Sequence, residues 1–144
     1  RASSFWRWPG SIEPGDCKAL CAHIDFFPTL AEIAGIQSTA QIKAQVEGRS
    51  LVPLLNDPKA AWSDRHLFTH QGRWARFSDP NLAKYHVAAV RNTHWAMVSE
   101  AGGAEPKWEL FDLSTDYSQK NDVAAQHPDI VKELGATFDK WWSD

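Results

Sequence analysis

The sequence predicts a mixed fold, α/β to α+β, because the hydrophobic period changes near residue 60. Before that point apolar residues recur every three or four positions, which indicates helices. After it, four short stretches alternate apolar and polar residues, as half-buried strands do. We therefore expect two parts. Residues 1–60 would hold helices and one strand, and residues 61–144 a four-stranded antiparallel sheet packed by a C-terminal helix.

One strand and one main helix are expected in the front part. The aromatic run at 4–8 alternates enough for a strand, and Pro9-Gly10 predicts a turn after it. The stretch 23–35 predicts a helix with Asp25 as N-cap and Gly35 as the left-handed residue at its end. The apolar residues expected on its buried face are Phe26, Phe27, Leu30, Ile33 and Ala34.

His23 and Asp25 allow two interpretations. Imidazole and carboxylate groups suit catalysis or metal binding, but a helix cap and a packed imidazole explain the same pair, and we prefer the second interpretation. The stretch at 36–47 is polar and weakly patterned, so it is expected to be a surface connection. Ser50 would then cap a short helical turn.

The second part predicts a meander followed by a helix. Its four strands are expected at 66–71, 85–92, 94–100 and 107–112. The short separations favour antiparallel neighbours, and Asn92 is expected to adopt the positive φ of a two-residue hairpin at Asn92-Thr93. Pro128 and Asp129 indicate a helix start. The stripe that would cover the sheet consists of Ile130, Val131, Leu134, Phe138 and Trp141.

Composition excludes several classes of function. The net charge is −3 and the basic residues are dispersed, so we expect no nucleic-acid partner. No stretch approaches the roughly 20 apolar residues of a membrane span, so we expect no membrane insertion. Cys17 and Cys21 are expected to be buried thiols, since one such pair does not make a zinc site. The eight tryptophans indicate aromatic packing, a sugar-stacking surface, or both.

Several motifs, taken in order, resemble the C-terminal part of sulfatases of the arylsulfatase family, within the alkaline-phosphatase-like superfamily. They are WPGSIEPG, HIDFFPTLAEIAG, EGRSLVPLL, AAVRNTHWAMV, ELFDLSTD and NDVAAQHPDIV. The resemblance covers nearly the whole chain, and LFTHQGRW with FDKWW is similar to a subset of bacterial members. It implies that residues 1–60 are the end of the large α/β domain and residues 61–144 a C-terminal subdomain. It also implies a periplasmic or secreted hydrolase.

The same resemblance implies where the chemistry lies. Such sulfatases use a formylglycine made from the Cys or Ser of a C/S-x-P-x-R motif, together with a divalent cation, usually calcium. This sequence has no complete match to that motif and no Asp-Asn set for the cation. We therefore expect no catalytic or metal-binding residue in this chain. Since it begins abruptly with RASSFWRWPG, we expect an N-terminal catalytic domain to be missing and the fragment to self-associate.

The candidate substrate-binding residues are His70, Arg73 and Trp74, for a sulfated sugar or an aryl sulfate. They combine a proton donor, a fixed cation and an aromatic face. Gly72 would let the backbone turn so that the three converge. Alternatively, Trp74 packs on the sheet and Arg73 caps a carbonyl.

Other polar or aromatic residues are given structural interpretations. They are His86, Arg91, His94, Glu109, Asp112 and the pair Trp141-Trp142. Two rival functions stay open: a non-catalytic module that binds carbohydrate or protein, and the tail of a related phosphodiesterase or phosphonate hydrolase.

Overall fold

The computed structural model describes residues 3–144. The chain divides between Ser63 and Asp64 into two compact units, each with its own internal contacts. The sequence predicts this division at residue 60. In residues 3–144 no helix has both the length and the apolar character needed to cross a membrane.

Short helices make up the regular structure of the first unit. A 3-10 turn, His23–Asp25, leads into α1 (Phe26–Ile33), which is followed by α2 (Ala40–Lys43) and α3 (Val52–Asn56). The sequence does not predict α2, because that stretch is polar and the start of the helix depends on one local hydrogen bond. The Thr39 side chain accepts a hydrogen bond from the Ile42 N–H, as an N-cap does.

The predicted strand at 4–8 is wrong. Residues 3–8 have no strand structure, since among the described residues no neighbouring strand satisfies their backbone groups. The predicted turn is confirmed, because the Trp8 carbonyl accepts hydrogen bonds from the Ser11 and Ile12 N–H groups and Gly10 has a φ of 78°.

The helix predicted over 23–35 is confirmed, but its burial is the reverse of the prediction. Phe27 and Leu30 are each 55% exposed, whereas Asp25 and Thr29 are fully buried. Gly35 has the expected positive φ. The polar side of α1 is therefore the side that is fully buried within this unit. On its apolar side Phe26 contacts Trp6 edge-to-face at 5.5 Å, while Phe27 and Leu30 stay largely exposed.

A buried polar network explains that reversal. The Asp25 carboxylate accepts hydrogen bonds from the N–H groups of Ala22 at 2.7 Å and Arg49 at 2.9 Å. The Thr29 hydroxyl donates to the Asp25 carbonyl at 2.5 Å and accepts from the Leu51 N–H at 2.8 Å. These bonds join the start of α1 to residues 49–51. They satisfy backbone donors that would otherwise be buried without partners.

Two expectations about side chains in this unit need correction. His23 is exposed, so it is not a packed imidazole. Cys17 and Cys21 are exposed rather than buried, because residues 16–22 form neither helix nor strand and present no face to a core. Asp25 does occupy the N-cap position of α1, although its side chain binds Ala22 and Arg49 instead of the first turn of that helix.

The second unit contains the predicted four-stranded sheet. Its strands are β1 (Leu67–His70), β2 (Ala88–Arg91), β3 (Trp95–Ser99) and β4 (Glu109–Asp112). They lie side by side in chain order, and every pair is antiparallel, so the predicted meander is confirmed. A 3-10 turn, Pro80–Ala83, lies in the long β1–β2 connection, and α4 (Pro128–Ser143) ends the unit.

The β2–β3 hairpin forms by a different mechanism from the predicted one. Arg91 pairs with Ala96, so the loop is centred on Thr93 and His94. Asn92 does not adopt a positive φ. Instead, its side-chain oxygen accepts hydrogen bonds from the N–H groups of His94 and Trp95, at 2.9 Å and 2.7 Å. Asn92 therefore shapes the turn through its side chain, as Asx turns do.

The core of the second unit lies between the sheet and α4. Phe68, Val90, Met97 and Leu110 are directly opposite one another on successive strands, so they form one row on one face of the sheet. The predicted stripe on α4 is confirmed. Its members Leu134 and Phe138 are fully buried, and the flanking apolar side chains of the stripe pack on the same cluster.

Candidate substrate-binding site

His70 reaches the α4 side of the sheet because of strand alternation. Phe68 and His70 are two positions apart on β1, so their side chains leave the same face. The Phe68 ring stacks on Trp141, with a centroid distance of 4.9 Å and an interplanar angle of 5°. The His70 ring contacts Trp142 at 4.8 Å. Consecutive tryptophans at the end of α4 thus meet alternate residues of one strand.

Both ring nitrogens of His70 are engaged inside the protein. The Gly72 N–H donates a hydrogen bond to Nδ1 at 2.8 Å. Nε2 lies 3.0 Å from the Ala83 carbonyl oxygen, which can only accept. We assign the donor role to Nε2 and the acceptor role to Nδ1 on this basis. His70 therefore shapes the connection between β1 and β2.

Trp74 and Arg73 lie just beyond the turn at Gly72. Gly72 has a φ of 64°, which brings Trp74 back toward the helix end. The Trp74 ring lies 6.3 Å from His70 and 6.4 Å from Trp142, at 76° to the latter. Trp74 stays 46% exposed, and Arg73 is exposed as well. The structure thus brings His70, Trp74 and Trp142 together and leaves Arg73 beside them in solvent.

Asn81 and Asp79 support this cluster and were not predicted from the sequence. The Trp142 indole N–H donates a hydrogen bond to the Asn81 side-chain oxygen at 2.8 Å. Asn81 belongs to the 3-10 turn Pro80–Ala83, where its own N–H donates to the Asp79 carboxylate. The paired tryptophans were the available signal. Both dock on the sheet, Trp141 on Phe68 and Trp142 on His70, and Trp142 also bonds to the β1–β2 connection through Asn81.

A Lys–Tyr–Asp cluster also connects this region to α4. Asp139 accepts a hydrogen bond from the Tyr85 hydroxyl at 2.6 Å and pairs with the Lys84 ammonium at 2.7 Å. Partial burial opposes ionisation of Asp139, but the bonds from Lys84 and Tyr85 outweigh it, so the pKa of Asp139 is lowered. Burial and the bond to Asp139 both raise the pKa of Tyr85. The cluster links the β1–β2 connection to α4.

Two aspartates hold loops near β4. The hydrogen bonds from the Ser114 hydroxyl and N–H lower the pKa of Asp112, which therefore stabilises the turn after the strand. The backbone N–H groups of Asn121 and Lys120 lower the pKa of Asp116 in the same way. Asp112 is thus a turn residue. The remaining residues given structural interpretations are scattered over the sheet and its loops: His86, Arg91, His94 and Glu109.

The donor set for a catalytic cation is not present in the described chain. Residues 3–144 contain no group of three or more His, Cys, Asp or Glu side chains that could hold a metal ion. The described residues therefore do not fit the calcium site that the family resemblance implies.

Comparison with known proteins shows which family this chain belongs to. Residues 1–142 match the model of the C-terminal region of N-sulphoglucosamine sulphohydrolase. The chain belongs to this sulfatase family. It is 32% identical over 128 residues to arylsulfatase K of Xenopus laevis, and 30% identical over 138 residues to an N-acetylgalactosamine-6-O-sulfatase of Bacteroides thetaiotaomicron. These alignments cover 85% and 89% of the chain.

A solved structure shows the same fold. The protein BT4656, in complex with its substrate D-glucosamine-2-N,6-O-disulfate, superposes with a TM-score of 0.64 at 21% identity over 95% of this chain. The match spans 27% of that protein, and the chain spans 22% and 24% of the two relatives. The chain therefore corresponds to about a quarter of such proteins.

Proposed function

We propose that the protein containing this chain hydrolyses sulfate esters, with the chain supplying part of the fold and part of the substrate site. The observation that carries this proposal is the family match over residues 1–142. The relatives named as sulfatases support it, although the chain covers less than a quarter of either one. Formylglycine and calcium would be held by residues outside this chain.

Within that enzyme, we propose that Arg73 and Trp74 contact a sulfated sugar. An exposed guanidinium can pair with a sulfate or carboxylate group, and an exposed indole face can stack on the apolar face of a sugar ring. His70 takes a positioning role because both of its nitrogens are engaged. BT4656 binds a disulfated glucosamine, which supports a sugar rather than a simple aryl sulfate as the ligand.

Turnover by the whole protein tests this proposal. We expect hydrolysis of a sulfated hexosamine, and we expect Trp74→Ala to raise its KM about 10-fold, as the loss of one good stacking contact does. Release of inorganic sulfate is the measurement. Trp8→Ala is the matched control, since Trp8 is similarly exposed but lies in the first unit. Absence of sulfate release from a panel of sulfated sugars and aryl sulfates would refute the proposed activity.

We further propose that residues 1–60 continue a large α/β domain, whose other part precedes this chain in the full protein. The exposed apolar side chains of α1 support this, since a folded domain ordinarily covers such a surface. We propose a periplasmic or secreted location by the same family relationship. Cell fractionation of the native protein tests the location.

A further inference from the structure

The β1–β2 connection is anchored at several points, so its outer part projects from a fixed base. The Gln71 N–H donates to the Val87 carbonyl at 3.1 Å, which continues the ladder beyond the strands. His70 bonds to Ala83, and Asn81 bonds to Trp142 of α4. The segment between these anchors, residues 73–78, makes its own tight turn.

Phe77 is the unusual residue of that turn. The Ser78 N–H donates to the Ala75 carbonyl at 3.0 Å, which places Phe77 third in a β-turn. Its φ is 67°, in the left-handed region that Gly or Asn normally occupies. The side chain is 92% exposed, so packing does not compensate for the backbone strain. The ring of Phe77 is therefore accessible to a ligand from solvent.

Positive charge accompanies this ring. The Arg76 guanidinium lies over the Phe77 ring, 4.7 Å from its centroid. In the sequence Arg73 also directly precedes Trp74, so the segment carries two Arg–aromatic dipeptides three residues apart. No acidic residue occurs from Arg65 to Ser78, in a chain whose net charge is −3. The segment is therefore locally cationic, with two exposed ring faces.

We propose that Arg76 and Phe77 form a second subsite, which binds the next sugar unit of an anionic oligosaccharide whose first unit contacts Arg73 and Trp74. This inference rests on the proposed function. A sulfated or carboxylated sugar chain matches the segment because its units repeat both a negative charge and an apolar ring face. The subsite makes the enzyme prefer oligosaccharides to single sugars.

The test compares two substrates with the whole protein: a sulfated monosaccharide and a sulfated tetrasaccharide that ends in the same unit. Phe77→Asn removes the ring and suits the left-handed backbone, so this variant should fold. We expect it to raise the KM for the tetrasaccharide about 3- to 10-fold, with kcat and the monosaccharide KM unchanged. Phe77→Tyr should restore the tetrasaccharide KM, and Arg76→Gln should weaken its binding, more so at low salt.

The Trp74→Ala variant distinguishes two possible failures: that of the second subsite at Arg76 and Phe77, and that of the proposed substrate contact at Arg73 and Trp74. If it raises both KM values while Phe77→Asn changes neither, the second subsite is refuted and the first stands. If Trp74→Ala changes neither KM, the proposed substrate contact itself fails. If the whole protein does not hydrolyse either substrate, calorimetric titration of the tetrasaccharide measures its binding affinity directly. Equal affinity of wild type and Phe77→Asn in that titration overturns the inference.

Discussion

One backbone position, Gly48, determines how closely residues 49–51 can approach the start of α1 in the first unit. The Asp25 carboxylate and the Thr29 hydroxyl bind the N–H groups of Arg49 and Leu51, so the chain near residue 48 must approach the start of α1 closely. Gly48 makes this approach possible. A Cβ at that position would lie 2.0 Å from the Ile24 carbonyl oxygen, which is backbone and cannot rotate away.

Gly48→Ala should therefore destabilise the first unit by about 2–3 kcal/mol, because overpacking against backbone forces the chain apart. Hydrogen exchange measured by mass spectrometry should show faster exchange of the Arg49 and Leu51 amides. Gly103→Ala is the control, since its Cβ would meet the Leu82 carbonyl oxygen at 3.4 Å, an ordinary contact. Unchanged exchange at residues 49–51 in Gly48→Ala would show that this segment can move away at little cost.

Among the elements, α4 takes part in both the core and the candidate site of the second unit. Its middle turns bury Leu134 and Phe138 against the sheet, and its last turn carries the two tryptophans that meet β1 and the 3-10 turn. Asp139 adds a polar link to Tyr85 and Lys84. One helix thus supports both the core and the candidate site.

The polar link should make the stability of the second unit depend on pH. The pKa of Asp139 is lowered in the folded state, so its contribution is present above the ordinary value near 3.8 and is lost as pH falls through the folded-state pKa. Asp139→Ala should cost about 1 kcal/mol at pH 7, a modest value because Asp139 is half exposed. The cost should shrink toward pH 3.

Urea unfolding at pH 7 and pH 3 measures both effects, and Tyr85→Phe completes a double-mutant cycle. Glu133→Ala, exposed on the same helix, is the control. A destabilisation by Asp139→Ala that stays equal at both pH values would show that the carboxylate charge plays no part.

At the scale of the whole molecule, one cluster of exposed apolar side chains lies where the sequence predicts a buried helix face. On α1, the Phe26 side chain is 39% exposed, and those of Phe27 and Leu30 are each 55% exposed. Ile36, just after the helix, is 62% exposed. Such a cluster favours association in water, since the gain from burying apolar area is roughly 25 cal/mol per Å².

The isolated chain should therefore self-associate through this surface. Sedimentation velocity over a range of concentrations should show a rising mean mass, and the double variant Phe27→Ser with Leu30→Ser should reduce it. Exchanging Glu32, a polar residue of the same helix, for Gln should have little effect. A wild-type chain that stays monomeric throughout would contradict this expectation.

The sequence by itself determined the elements whose signals are local. Alternation along 66–112 and the stripe on 128–143 specify the meander and its covering helix, because burial of one face requires that period. The motifs also indicated the sulfatase family, which the match over residues 1–142 shows. His70 and Trp74 could be selected because their residue types and the Gly72 turn are visible in the sequence.

Only the tertiary structure determined which segment of the chain packs against each side of a helix. A helical period shows that α1 is amphipathic, but the hydrogen bonds of Asp25 and Thr29 with residues 49–51 determine that its polar side packs within the unit. The role of Trp142 likewise depends on Asn81, 61 positions away in the chain. Such contacts join segments distant in sequence, and local periodicity carries no information about them.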